Sequence, residues 1–181
     1  MSLSQVSGCL SCQHGISLEW LLPHLAGVLI EATDLAGGRL CIWARARAEG
    51  AGCARCGQPS TRVHSVYGRR LADAPVGGRP VLIRLAVRRF FCGNPDCPAV
   101  TFAEQLDGLT SRRARRTPPL GQALTGIALA LAGRAGSRLA AVLDLTAGRS
   151  SMLRLVMALP APEPGPVKVL GVDDFAFRRV I

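Results

Sequence analysis

"CARCGQPSTRVHSVYGRRLADAPVGGRPVLIRLAVRRFFCGNPDC", residues 53–97, opens and closes on a pair of cysteines. Two residues separate Cys53 from Cys56, and four separate Cys92 from Cys97. Between the pairs the chain has strand character. Val81, Ile83, Leu85 and Val87 recur at every second position, the period of a half-buried strand, and "PVGGRP" supplies a turn just before them. Two short cysteine loops at opposite ends of a strand system can bring four soft sulfur ligands to the corners of a tetrahedron, as Zn²⁺ takes them in structural sites. Gly57 and Gly93 follow Cys56 and Cys92, where the chain must turn for backbone N–H groups to point at the sulfurs, and Pro95 helps close the second loop. A structural zinc on Cys53, Cys56, Cys92 and Cys97 is therefore expected, with no coordination position open to a substrate.

The other candidate ligands fit less well. His64 lies between the pairs, but four cysteines already suffice, so it reads as a strand or surface histidine. "CLSCQH" offers Cys9, Cys12 and His14 without a second pair, inside a leader that has no periodicity. Cys41 reads as a small core residue. The N-terminus shows no basic segment followed by an uninterrupted apolar run, so no secretory signal is apparent. The longest apolar stretch, "LEWLLPHLAGVLI", is interrupted by Glu19, Pro23 and His24 and is too short to span a bilayer. Without export, the seven cysteines are expected as thiols or metal ligands rather than disulfides.

Charge points to the partner. The chain has 181 residues and a formal net charge of +10, and its aromatic content of 4% favours several small aliphatic cores over one large aromatic core. Residues 53–116 hold 12 basic and 4 acidic residues, whereas residues 1–52 hold 3 and 4. A polyanion, most often nucleic acid, should therefore lie against the middle of the molecule. "SRRARR" concentrates Arg112, Arg113, Arg115 and Arg116 in one short segment, and such arms lie along phosphates or in a minor groove.

From Thr117 the pattern changes from strand to helix. "PPLGQALTGIALALAGRA" begins with prolines suited to a first helical turn and places Leu120, Leu124, Ile127, Ala128 and Leu131 on one face. "GSRLAAVLDL" predicts a short second helix, "TAG" a turn, and "RSSMLRLVMALP" a third helix ending at Pro160. The last two have the length and tight turn of a helix-turn-helix. In that arrangement Leu139, Val142, Leu143 and Leu145 face Leu153, Val156 and Met157, while Arg149, Ser151 and Arg154 reach DNA.

The order of these parts resembles the transposases of bacterial insertion sequences of the ISL-three type. Those enzymes carry an N-terminal zinc-binding domain, a helix-turn-helix and a DDE catalytic domain with the ribonuclease H-like fold. "PHLAGVLIEA", the cysteine-bounded segment extended to "TFAEQL", and "VLGVDDFAFRR" carry the resemblance. It implies that the four cysteines bind zinc, that ribbon and helices bind the element's terminal inverted repeats, and that Asp173 is the first catalytic carboxylate. Asp174 then occupies the position of a neighbouring, non-catalytic acid.

The expected architecture is a multi-part α+β chain. It has a disordered leader (1–17), a β-rich zinc-ribbon domain (18–108), a basic linker (109–117), a three-helix helix-turn-helix domain (118–160), and a linker with the first strand of the catalytic domain (161–181). Two-metal phosphoryl transfer needs several carboxylates, and the sequence supplies only the first, so Mg²⁺ or Mn²⁺ is expected only in a complete catalytic domain. The expectation is thus a DNA-binding front portion, cut off inside its catalytic domain and inactive alone. It would be cytoplasmic and nucleoid-associated, bound to transposon ends and to itself or a full-length transposase, with no membrane partner. The alternatives are a repressor of the full-length enzyme and a zinc-ribbon protein acting on RNA or protein.

Overall fold

The computed structural model describes residues 22–161. The leader with Cys9, Cys12 and His14, and the C-terminal segment with Asp173, lie outside them. Two glycine pairs set the β-topology. Gly37 and Gly38 have φ of 58° and 76°, and Gly77 and Gly78 have 58° and 69°. Left-handed geometry at both central positions makes the type I′ turn, whose twist matches a two-residue hairpin. The first pair joins β1 (Val28–Ala36) to β2 (Arg39–Ala46), and the second joins β5 (Val63–Val76) to β6 (Arg79–Phe91).

The two hairpins merge into one sheet in the order β1-β2-β6-β5. Their junction is parallel, with Leu40 opposite Val81 and Arg45 opposite Ala86. A parallel pair needs a crossover. Here it runs through β3 (Ala51–Gly52), the first cysteine loop, β4 (Pro59–Ser60) and then β5, which turns back into β6. Beyond the reach of β2, β7 (Thr101–Ala103) pairs with Arg89–Phe91 at the end of β6.

The alternation expected in β6 holds: Val81, Ile83, Leu85 and Val87 are all buried. They pack with Ile42, Ala44, Ala46 and Leu71 on one face of the sheet, beneath Leu25, Val28, Leu106 and Leu109. Phe90 breaks the alternation. It lies in a second, smaller cluster with Phe102 and Cys53, the two rings stacked at 5.8 Å.

The helical part corrects the sequence expectation. Among the described residues no three-helix helix-turn-helix domain is present; they form two α-helices, α1 (Pro118–Val142) and α2 (Arg149–Met157). The segments expected as first and second helices form one element, bent at Ala132, where φ is 56° and ψ is −157°. The bend brings Gly136 close enough to Ile127 that a Cβ would stand 3.5 Å from its Cγ2. The expected helix–helix core holds only at Leu145, which is buried, and Val156, which packs against the same cluster. Leu139, Val142, Leu143, Leu153 and Met157 are exposed, whereas Leu120, Leu124, Ala128, Ala140, Leu145 and Met152 are buried together. The physical reason is close approach through small residues: a Cβ on Gly133 would come within 3.0 Å of Arg149 Cγ and 3.2 Å of Leu153 Cγ. Gly133, Ala128 and Ala140 share the contact with Leu120, Leu124, Leu145 and Met152, so large apolar positions alone do not mark the contact face of the second segment.

A buried polar knot joins helix to sheet. Ala72 N–H donates to Arg115 O at 2.9 Å, and Thr117 N–H donates to Ala72 O at 2.9 Å. Thr117 precedes α1 but does not cap it with its side chain. Its hydroxyl donates instead to the Asp73 carboxylate. Prolines at the first helical positions have no N–H to satisfy, so the missing cap leaves fewer orphan donors. The other oxygen of Asp73 accepts from His24 Nε2 at 2.7 Å, tying in the 3-10 turn Pro23–Leu25.

Candidate metal centre

Each cysteine pair sits on a tight backbone loop. Gly57 N–H donates to Cys53 O at 2.8 Å, and Cys53 N–H donates to Gln58 O at 2.9 Å. Gly57 has φ of 75°, left-handed geometry that a β-carbon disfavours, so the glycine after Cys56 is required as the sequence suggested. Gly93 has no such geometry. The second loop closes through Cys97 N–H to Asn94 O at 3.2 Å and Asp96 N–H to the Asn94 side chain at 2.9 Å, an Asx-turn. Cys92 N–H donates to Val100 O at 2.9 Å and anchors that loop to the start of β7.

These loops bring Cys53, Cys56, Cys92 and Cys97 together, with all four sulfurs within 4.8 Å of one another. The separations include 3.6 Å for Cys56–Cys92 and 4.0 Å for Cys53–Cys97. Zinc at about 2.3 Å from each sulfur would set tetrahedral corners roughly 3.8 Å apart, so the cradle has the size of the ion. Cys53 is buried against Phe90 and Phe102, while Cys56 is exposed. The centre therefore lies at the surface with one side fixed to a core.

The thiols also need a cation. Backbone N–H groups of Arg55 and Cys56 hold the Cys53 thiol down at about 7. The Asn94 N–H favours the Cys92 thiolate, yet burial and the thiols of Cys56 and Cys53 push it up to about 12. At Cys97 the Ala99 N–H favours the thiolate, but burial and the Cys56 thiol together outweigh it and the thiol is raised. Cys92 and Cys97 therefore resist ionisation beside the other sulfurs, and a divalent ion among them removes that conflict. Among the described residues, the four cysteines are the one group of three or more possible ligand side chains that converge. His64 is not among them: its ring contacts Ser65 Oγ at 2.9 Å and stands edge-on to Phe91.

The loops are braced by a second polar contact that sequence reading missed. Arg88 forms a two-pronged pair with Glu104, with Nη2–Oε2 at 2.7 Å and Nε–Oε2 at 3.1 Å, and reaches Ala48 O at 2.6 Å and Glu49 O at 3.0 Å. Glu104 is 3% exposed. Arg88 thus locks the chain entering the first cysteine loop to Glu104, the residue after β7. Its signal in the sequence was an acid immediately after a short strand, which nothing local distinguishes from a surface charge.

The expected DNA-contacting residues separate into two groups. Arg112, Arg113 and Arg115 are exposed on a fixed linker beside the edge strand β5, and Arg116 is half-buried in a bridge to Ala72. Arg149, Ser151 and Arg154 lie on α2, where the Arg149 stem covers Gly133 and Arg154 Nε donates to Ser150 O at 3.3 Å. Arg112, Arg113 and Arg115 line one groove, whose lining does not include Arg149, Ser151 or Arg154.

Residues 49–97 match the family model described as the zinc-finger of transposase IS204/IS1001/IS1096/IS1165. That span ends on Cys97 and contains all four cysteines of the cradle. No curated protein and no solved structure matches the chain. Among the described residues, no helix is long and apolar enough to cross a membrane.

Proposed function

We propose that this chain is a DNA-binding N-terminal region of an insertion-sequence transposase, and that it holds the terminal inverted repeats of its element. The observation that carries the proposal is the four-sulfur cradle within a transposase-type zinc finger, set in the most basic part of the chain. Four thiolates fill the coordination of zinc, so the metal orders the ribbon and takes no part in chemistry. Strand cleavage belongs in this reading to a catalytic domain in which Asp173 is the first carboxylate and Mg²⁺ or Mn²⁺ is held by further acids. The described residues serve to bind and position DNA, as a nucleoid-associated protein that pairs with itself or with a full-length transposase.

The test compares labelled duplexes by competition: the element's terminal repeat, a scrambled duplex of equal length, and an RNA duplex. The expected result is preference for the terminal repeat and steep weakening with salt, because bound cationic residues release counterions from the phosphates. Tighter binding to RNA, or no binding to any duplex, would reject the proposal.

A further inference from the structure

Seven of the chain's arginines converge on one groove, and neither metal binding nor core packing accounts for them. The groove has a volume of about 1090 Å³ and is lined by those arginines without a single carboxylate. Arg55 comes from the first cysteine loop, Arg70 and Arg89 from β5 and β6, and Arg112, Arg113 and Arg115 from the linker. All six are exposed. Like charges gathered in this way oppose folding, so the cluster suggests a ligand that compensates them. Its volume is at or above the range of roughly 300–1,000 Å³ typical of small-molecule sites, which fits an extended polyanion better than a single anion.

The seventh arginine shows that the groove is built. Arg69 donates through Nη2 to Ser111 O and, at 2.6 Å, to Ala114 O. Ala114 N–H closes the same turn onto Ser111 O at 3.1 Å, and Ala72 fixes Arg115 from the other side. Within this clamp Arg113 has φ of 63°, a left-handed conformation that an arginine keeps only where its surroundings over-determine it. The arginine-rich segment is therefore an ordered wall. Holding cations in place before binding lowers the entropic cost of gripping a chain of phosphates. Guanidinium forks match phosphate oxygens two at a time, which favours phosphate over scattered carboxylates.

We propose that this groove, between the first cysteine loop and the linker, grips the phosphate backbone of duplex DNA. Arg55, Arg70 and Arg89 form one wall, Arg112, Arg113 and Arg115 the other, and Arg69 is the positioning residue that holds the second wall in place. The inference deepens the function proposed above and rests on it. It separates backbone grip, in the groove, from any sequence preference carried by α2.

The experiment uses the full chain with zinc bound and follows anisotropy of a labelled duplex of arbitrary sequence between about 50 and 200 mM salt, the range over which phosphate contacts show their effect. Each phosphate contact contributes about 0.9 to the slope of log affinity against log salt, so the triple change Arg55→Gln, Arg70→Gln, Arg89→Gln should flatten that slope by about 2–3. Arg113→Gly removes one charge while suiting the left-handed backbone, so it should flatten the slope by about 0.9 without loss of fold. Arg149→Gln with Arg154→Gln should leave the slope nearer wild type than the groove triple does. An unchanged slope in both groove variants, with wild type binding DNA normally, would overturn the groove and leave the proposed function standing. Failure of wild type to bind any duplex would overturn both. Stronger groove-dependent binding to poly-glutamate or duplex RNA than to DNA would overturn the assignment of the ligand.

Discussion

Asp73 is the most informative single position for the fold, and its replacement can be worked through quantitatively. Its side chain is 0% exposed and accepts hydrogen bonds from the Thr117 hydroxyl, from His24 Nε2 at 2.7 Å, and from Ala74 N–H at 2.9 Å. Asp73→Ala leaves those three donors behind. Each buried group stripped of its partner costs about 1–3 kcal/mol. Thr117 is 1% exposed and bears the full penalty, whereas the His24 side chain, 11% exposed, recovers part of its loss from water. The total should be about 3–5 kcal/mol, the range for breaking a buried polar pair. Asp73→Asn keeps an acceptor for Thr117 and Ala74 and turns an amide toward His24, whose other tautomer can accept, so about 1–2 kcal/mol is expected. Denaturant unfolding with zinc in excess measures both values, and hydrogen exchange at the Ala72 and Thr117 amides reports whether α1 has come loose from β5. An Asp73→Ala protein within about 1 kcal/mol of wild type, below the penalty for even a pair of orphaned donors, would refute this account of how helix and sheet are joined.

Zinc affinity should rise with pH, because the metal binds thiolates and the raised thiols of Cys92 and Cys97 must each give up a proton. Below the value of about 7 for Cys53 a further proton is displaced. Calorimetry in two buffers of different ionisation enthalpy counts these protons, and binding without proton release would contradict the assignment. Glu104→Gln replaces a charged two-pronged partner of Arg88 by a neutral one and should lower stability by about 1–3 kcal/mol in denaturant unfolding, with Arg88→Met giving a similar loss. Gly133→Leu forces bulk into the contact with Arg149 and Leu153 and should cost about 1–3 kcal/mol; a neutral result would mean that α2 packs elsewhere. Asp144 ends α1 in left-handed geometry at φ 56°, with Leu145 N–H donating to Ala140 O at 2.8 Å, so Asp144→Gly should raise the melting temperature slightly, and a lower one would count against this helix ending.

The metal cradle was legible in the sequence because its information is local: two cysteine pairs, Gly57, and the alternation from Val81 to Val87. The hairpins were legible for the same reason, since Gly37–Gly38 and Gly77–Gly78 carry the turn geometry in their own identities. What was hidden depends on partners distant in the chain. The parallel pairing of β2 with β6 leaves no mark on either strand. Asp73 and Glu104 look like surface acids until His24, Thr117 and Arg88 are brought to them. Arg69 is one basic residue among many until its guanidinium is found across the linker carbonyls. The helices misled for a different reason. Leu120, Leu124 and Leu145 were legible as core, but small residues such as Gly133, Ala128 and Ala140 complete the contact, and large side chains such as Val142 and Met157 lie outside it.

The central claim is that a four-thiolate zinc organises a surface that binds duplex DNA, and the most direct test measures metal and DNA on one sample. Protein purified without chelator is assayed for zinc and titrated with labelled terminal-repeat duplex, then stripped of metal under reducing conditions, titrated again, reloaded and titrated once more. One zinc per chain is expected, with DNA binding lost on stripping and regained on reloading, and Cys56→Ser should behave as the stripped protein does. A stripped chain that binds the duplex as tightly as the loaded one, or a purified chain that binds it without any zinc, would contradict the claim.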